Sequence, residues 1–339
     1  MSKKALILSV FCVVFSFGIP KVKAQSTTNL KTQTLIKPPY LKVGDTVAIV
    51  APSGILKNRE AEINRAKKLL QSWGLHAVVG KYVFSQANHF AGTDDERCED
   101  LQKVLDDPSI SAIWCARGGY GTVRILDKLN FSKFKAHPKW LIGYSDITAL
   151  HNAIHNLGVE SIHAMMCTSL TADQTDLDQT IETFKKALFG ESLSYHLEAS
   201  QYNQEGVVTA PLVGGNLTML HTMLGSKTSI DTSGKILFIE EIGEYKYHID
   251  RMLQSLKRAG YFDHCVGVVV GDMTKLKKNT TVWGTSIEQL ILDALSDYDF
   301  PIAFNMPSGH EDDNRALILG RTVELTVSKN GSTLNFKSE

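Results

Sequence analysis

K-W-L-I-G-Y-S-D-I-T-A-L-H-N-A-I-H, residues 139–155, joins an apolar run to a glycine, a serine and an amphipathic stretch opened by an aspartate. It reads as a strand ending at Gly143-Tyr144, a turn at Ser145 and a helix beginning at Asp146. A serine on so sharp a strand-to-helix turn projects its hydroxyl from the sheet edge. The first N–H groups of the helix have no intrahelical partner and can face an oxyanion. A nucleophilic serine needs that geometry. The pattern is looser than G-x-S-x-G, because Ile147 stands where the second glycine would be, and a serine in an ordinary βα loop reads the same way.

Upstream, the same alternation recurs. Thr46 to Ala51 is an apolar strand running into Pro52-Ser53-Gly54. Arg59 to Trp73 has Ile63, Ala66, Leu69, Leu70 and Trp73 on one helical face and is stopped by Gly74. A strand at His76 to Val79, a helix from Asp94 to Leu105, a strand from Ala112 to Ala116 and a helix after Gly121 follow. Strands alternating with helices of this length imply a parallel sheet covered on both faces, a Rossmann- or flavodoxin-like α/β domain over residues 40–190. Residues 191–209 are polar and weakly patterned and read as the connection to a second domain, 210–339. There the pattern gives a short helix from Asn216 to Leu224, a strand from Lys235 to Glu240 and an amphipathic helix from Tyr247 to Ala259. Beyond these come a strand from Val266 to Val270, a helix from Thr285 to Leu295, a strand from Pro301 to Asn305 and a β-ribbon through Val323 to Val327. This second domain mixes strands and helices.

The whole chain has 339 residues, enough for two domains, with 43% hydrophobic residues and zero formal charge. A neutral chain gives no electrostatic case for nucleic acid, so a small molecule or peptide is the default partner. Met1 to Ala24 combines Lys3 and Lys4 with an apolar run from Ala5 to Ile19 and ends Val22-Lys23-Ala24, which resembles a secretory signal peptide cleaved after Ala24. The run is short for a membrane span. Gln25 to Pro39 is polar and aperiodic and reads as a flexible leader. Once Cys12 is removed with the signal segment, Cys98, Cys115, Cys167 and Cys265 remain, too few for a disulfide framework and without a C-x-x-C pair. Cys115 and Cys265 read as buried free thiols.

A serine nucleophile requires a base, a group to orient it and oxyanion donors. His310, in the loop Met306-Pro307-Ser308-Gly309-His310, sits beyond the carboxyl end of a strand. Histidines 151, 155, 163, 248 and 264 read as surface or packing residues. Glu240 and Glu241 end a strand, and alternation lets only one of them point into a site. Glu244 suits a capping role at the helix that follows. Glu311, Asp312 and Asp313 after His310 raise metal binding, but no second histidine stands at ligand spacing, and neither a metal nor a cofactor is implied. Arg117-Gly118-Gly119-Tyr120-Gly121 lies between a strand and a helix, where glycine-loop N–H groups can bind an anion. Gly118 or Gly119 with the N–H of Asp146 would make a two-donor oxyanion hole. The loop lacks the lysine of a P-loop and the G-x-G-x-x-G spacing, yet a phosphate reading stays open.

Together these segments resemble the LD-carboxypeptidases, serine peptidases that include muramoyltetrapeptide carboxypeptidases and microcin C self-immunity peptidases. The resemblance covers nearly the whole mature chain. It is carried by Gly44-Asp45-Thr46 with Ala51-Pro52-Ser53-Gly54, Ala91-Gly92-Thr93-Asp94, Arg117 to Gly121, Gly143-Tyr144-Ser145-Asp146, Gly214-Gly215-Asn216-Leu217, Glu240 with Ile249-Asp250-Arg251, and Gly309-His310 with Asn314. It implies Ser145 as nucleophile, His310 as base and then acid, and Glu240 as the carboxylate orienting His310, in a site formed where the two domains meet. The implied reaction releases a terminal D-amino acid, typically D-alanine from a murein tetrapeptide, through an acyl-enzyme and without a cofactor. Family members are often dimeric, and a homodimer is compatible with this chain.

Arg117 is a candidate for binding the substrate's terminal carboxylate, or a brace for its turn. The sequence departs from the family at His248, where an arginine is usual, and at His163-Ala164-Met165, where His-Gly-Pro is usual. Both departures bear on substrate details. The signal segment favours cell-wall work in the periplasm over immunity to a cytoplasmic nucleotide-peptide. A catalytically silent peptidoglycan-binding protein and a nucleotide enzyme are the readings from other classes.

Overall fold

The structure, a computed structural model, describes residues 35–171 and 177–337. The signal segment expected at Met1 to Ala24, and the leader as far as Thr34, lie outside the described residues. In chain order the elements are β1 (Thr46–Val50), α1 (Glu60–Ser72), β2 (His76–Val79), α2 (Asp94–Asp106), β3 (Ile110–Cys115), α3 (Thr122–Leu126), α4 (Ser132–Ala136), β4 (Trp140–Gly143), α5 (Thr148–Asn156) and β5 (Ser161–His163). They continue with α6 (Asp178–Phe189), β6 (Ser194–Leu197), β7 (Gly206–Asn216), α7 (Leu217–Thr222), β8 (Ile236–Ile242), α8 (Lys246–Arg258), β9 (Gly267–Thr274) and α9 (Ile287–Ala294). Four short strands close the chain: β10 (Ile302–Ala303), β11 (Leu317–Leu319), β12 (Thr322–Val327) and β13 (Ser332–Phe336).

Two sheets form. The first has the order β11-β5-β4-β3-β1-β2. Its strands β1 to β5 are parallel, as the βα alternation requires, while β11 joins antiparallel to β5. The central strands β1, β3 and β4 are apolar runs buried along nearly their whole length, because helices cover both faces. The second sheet has the order β10-β9-β8-β7-β12-β13-β6. Its β7-β8-β9-β10 half is parallel, and its β7-β12-β13-β6 half is antiparallel. This is the mixed α/β architecture the pattern implies.

Three particulars differ from the sequence reading. Residues 191–209, read as a connection, contain β6 and the start of β7, and a single apolar core runs from Ile162 of the first sheet through Phe184 to Phe238 of the second. The leader read for Gln25 to Pro39 is docked over its last residues. Ile36 donates to Gly158 O at 2.7 Å and accepts from Glu160 N–H at 3.0 Å, and Pro39 O accepts from the Trp140 indole at 2.9 Å. Finally, β11 comes from the C-terminal segment yet is an edge strand of the first sheet.

Beside that crossover Arg321 makes a bidentate, buried ion pair with Glu160, one bond measuring 2.9 Å, and donates to the Tyr40 hydroxyl at 2.8 Å. Removing one partner of such a pair strands a buried charge and costs on the order of 3–5 kcal/mol.

Three histidines are held neutral by burial. His151 and His155 are pushed down to about 4, and His163 lies well below 6.5. A histidine whose folded pKa is depressed contributes stability that is present above 6.5 and is lost as pH falls through its folded value. For His151 the shift corresponds to on the order of 3 kcal/mol. Asp100, Glu241 and Asp272 are shifted upward and act in the opposite sense, so the test isolates one histidine. The stability advantage of the wild type over His151→Asn, from denaturant titrations, is expected to narrow by about that amount between pH 7.5 and 4. An advantage independent of pH would contradict it.

Candidate active site

Ser145 sits on a strained turn. Gly143 ends β4 at φ 157°, and Ser145 then adopts φ 63°, a left-handed value uncommon outside glycine and typical of positions held by their surroundings. Ile147, at the position of the missing second glycine, explains the first one: a Cβ on Gly143 would lie 2.9 Å from Ile147 Cγ1. The turn is braced from below by His151, whose Nδ1 is 2.8 Å from Ser161 Oγ and whose Nε2 is 2.8 Å from Gly143 O. Ala164 N–H also donates to Gly143 O at 3.2 Å.

Asp146 has a structural task that the sequence reading did not anticipate. Its buried Oδ2 accepts from Ser53 Oγ at 2.6 Å and from Thr122 N–H at 2.8 Å, and Ser53 Oγ lies 2.7 Å from Thr122 Oγ1. One carboxylate thereby ties together the loops after β1, β3 and β4, whose carboxyl ends define one edge of the first sheet.

The glycine loop lies against the serine. A Cβ on Gly118 would be 3.1 Å from Ser145 Cβ and 3.3 Å from Ser145 Oγ, so only a glycine leaves the hydroxyl unobstructed. Gly118 O accepts from Gly54 N–H at 3.0 Å, and Gly119 takes φ 105° against the same Gly54. Arg117 donates through Nη1 to Ile55 O. Burial, and then the neighbouring Arg59, lower its pKa. Its guanidinium thus has a bracing contact in the loop after β1.

Glu240 and His310 come together from elements 70 residues apart. His310 Nδ1 is 2.7 Å from Glu240 Oε2, the carboxylate is wholly buried, and the imidazole is 11% exposed. Glu241 turns to the other face of β8. It accepts from Thr218 N–H and Oγ1 at 2.7 Å each and from Asn216 Nδ2 at 3.2 Å, so it secures the start of α7. Burial pushes the His310 pKa down, but the charge and hydrogen bond of Glu240, with Glu241 and Asp272 behind it, more than reverse this, and the net value is raised. The ring also packs edge-on against Tyr144, the residue before Ser145, with centroids 4.9 Å apart. Gly309 N–H donates to Asn314 Oδ1 at 3.1 Å, which shapes the loop.

The remaining expected residues fall outside this group. Glu244, expected to cap α8, instead lies 2.5 Å from His248 Nδ1, and Tyr245 stands at the N-cap without a side-chain capping bond. Asp313 pairs with Arg315 at 2.8 Å. Cys115 and Cys265 are buried free thiols whose pKa burial raises.

Ala164 and Met165 are fully buried, and Met165 O accepts from the Trp114 indole at 2.8 Å. His163, read as a packing residue, lies edge-on to Phe238 at 5.1 Å and beside Tyr144 at 5.8 Å, with both ring nitrogens buried. Sequence reasoning missed Ser53, Thr122 and Asp272 as members of the site. Only Ser53 carried a signal, the turn Pro52-Ser53-Gly54 at a strand end.

Residues 47–164 match the LD-carboxypeptidase N-terminal domain family, and residues 209–325 match the LD-carboxypeptidase C-terminal domain family. The chain is 36% identical over 298 residues to a probable murein peptide carboxypeptidase of Bacillus subtilis (strain 168), covering 86% of this chain and 92% of the relative. It is similar to the crystal structure of muramoyltetrapeptide carboxypeptidase from Oxalobacter formigenes, with a TM-score of 0.78, 28% identity, and coverage of 86% of this chain and 99% of that one. It is similar as well to the crystal structure of an MccF-like protein from Bacillus anthracis str. Ames, with a TM-score of 0.79, 25% identity, and coverage of 90% and 100%.

Proposed function

This chain belongs to the LD-carboxypeptidase family and is a serine-type carboxypeptidase, and from that premise we propose that Ser145, His310 and Glu240 are its triad and a murein tetrapeptide its substrate. The observation that carries the reading is the His310 Nδ1 to Glu240 Oε2 contact of 2.7 Å, placed against the residue that precedes Ser145. A carboxylate bound to Nδ1 fixes the proton there and leaves Nε2 free to accept from a serine hydroxyl.

In this mechanism His310 Nε2 takes the proton of Ser145 as Oγ attacks the carbonyl before the terminal D-residue. The oxyanion is received by backbone N–H groups of Gly118 or Gly119 and of Asp146. His310 then returns the proton to the leaving amine, D-alanine departs, and a water activated by the same imidazole hydrolyses the acyl-enzyme. Arg117 is the nearby cation for the terminal carboxylate, through the N–H groups that Ile55 O does not occupy. The raised His310 pKa places the acid limb of kcat/KM above pH 6.5, because a protonated imidazole cannot accept the serine proton.

We propose export to the periplasm on the strength of Met1 to Ala24. No helix among the described residues is long and apolar enough to cross a membrane.

The deciding experiment follows product masses from defined murein tripeptide, tetrapeptide and pentapeptide. Release of D-alanine from the tetrapeptide alone is expected. The likeness to an MccF-like protein supports a second reading, an immunity peptidase, which predicts hydrolysis of acyl-sulfamoyl adenylates and of none of the murein peptides. Tight binding of tetrapeptide without turnover would leave a silent binder.

A further inference from the structure

We infer that Asp272 is a second positioning carboxylate of this site: it holds both sides of the turn that carries His310 and adds its negative charge to that of Glu240 behind the imidazole. The inference rests on the reading of His310 as the base, and neither the sequence pattern nor the family resemblance pointed to Asp272.

A β-bulge places it there. Ile239 pairs with Val270 and Glu241 with Met273, so Gly271 and Asp272 on β9 together oppose Glu240 alone on β8. Counting forward from Val270, Gly271 faces the way Glu240 faces. Counting back from Met273, Asp272 does too. An unbroken ladder would have sent Asp272 to the opposite face with Ile239. The extra residue re-aims it, a common use of bulges beside active sites.

The turn at 308–311 rests on this pair of carboxylates. Asp272 N–H donates to Ser308 O at 3.1 Å, and Asp272 Oδ2 accepts from Glu311 N–H at 3.1 Å, so one residue grips the chain before and after His310. The approach is close enough to require glycine twice. A Cβ on Gly271 would lie 2.3 Å from Ser308 O, and one on Gly309, at φ 148°, would lie 2.9 Å from Asp272 Cβ and 3.2 Å from Glu240 Cβ.

Charge follows from the same geometry. His310 faces Glu240 of β8 and Asp272 of β9 and feels the charge of Glu241 through the strand from its far side, with the Tyr144 ring and the buried neutral His163 on the side of the first sheet. Asp272 faces Glu311, Glu240 and His310. Burial first, then the charges of Glu311 and Glu240, raise its carboxyl to about 6 against the opposing pull of the Glu311 N–H and of His310. Above that value Asp272 is an anion that favours the imidazolium, and below it that support is withdrawn.

The test uses Asp272→Asn in the full chain, which keeps the shape and an oxygen for Glu311 N–H and deletes the charge. The His310 imidazole is titrated by NMR without substrate, its signal assigned by loss in His310→Gln. The pKa of His310 is expected to fall by roughly half a unit or more in Asp272→Asn. The acid limb of kcat/KM for tetrapeptide is expected to move to lower pH by the same amount. Asp272→Glu, which keeps the charge but displaces the turn, is expected to lower kcat while the imidazole titrates near its wild-type value. In the wild type alone, the His310 shift is expected to show a second inflection near pH 6, the value at which Asp272 takes up its proton.

An unchanged His310 titration in folded Asp272→Asn overturns the inference, and so does a single inflection in the wild type. Failure of the murein-peptide reading shows separately, as absence of turnover with every murein peptide, and does not alter either titration.

Discussion

Ser145→Ala is expected to lower kcat for peptide hydrolysis by ~10³-fold or more while leaving the melting temperature close to that of the wild type. The two halves of this expectation have different causes. Without Oγ there is no nucleophile to form the acyl-enzyme, and what survives is the rate that binding and oxyanion donors give to attack by water. The fold has little to lose, because the strained φ of 63° persists with alanine and the side chain is small and half-buried beside Gly118. Product release by mass spectrometry and a thermal melt decide it. Turnover above a tenth of wild type in a correctly folded variant would remove Ser145 from the role of nucleophile.

Glu240→Gln is expected to reduce kcat by ~10²- to 10⁴-fold, because the amide reverses the hydrogen-bond polarity at His310 Nδ1. A glutamine can present an N–H where the carboxylate presented an acceptor. The imidazole then favours the tautomer protonated at Nε2, which has no lone pair there for the serine proton. The variant also loses the charge that overcomes the burial of His310, so any residual activity should persist to lower pH than in the wild type. A kcat within threefold of wild type would show that Glu240 does not orient the base. Glu241 is no substitute for it, since its carboxylate is committed to Asn216 and Thr218 on the opposite face.

The structure also accounts for which parts of the site were legible beforehand. The Ser145 turn was visible because everything that makes it is local: an apolar strand, a glycine that makes room for Ile147, and an aspartate opening a helix. The glycine loop at 117–121 was visible for the same reason. Helix α6 and strand β6 were not identified. In β6 the short alternation of Ser194 to Leu197 carries little signal, and it becomes a strand only through pairing with β13. Three-residue β11 was equally silent, since its pairing with β5 joins segments about 155 residues apart. The choice between Glu240 and Glu241 stayed open because alternation says that two neighbours diverge but not which one faces the site.

The departures from the family pattern now have places. Ala164 and Met165 form a buried layer beside Trp114 beneath the serine turn, and His248 belongs to a cluster with Glu244 and Tyr247 at the start of α8. The first changes packing under the site. The second changes a polar surface near the carboxyl end of β8.

By itself the sequence determined the alternation of strands and helices, the sharp strand-to-helix turn at Ser145 and the set of residue types a serine hydrolase needs. Those features depend on neighbours within a few residues, and periodicity and backbone sterics are local properties. Only the tertiary structure decided that Glu240 rather than Glu241 meets His310, that Asp146 ties three loops together, and that Asp272 lies under the His310 turn. The first two depend on how distant strands and loops are packed together, and the third on the bulge between β8 and β9, none of which is a local property of the chain.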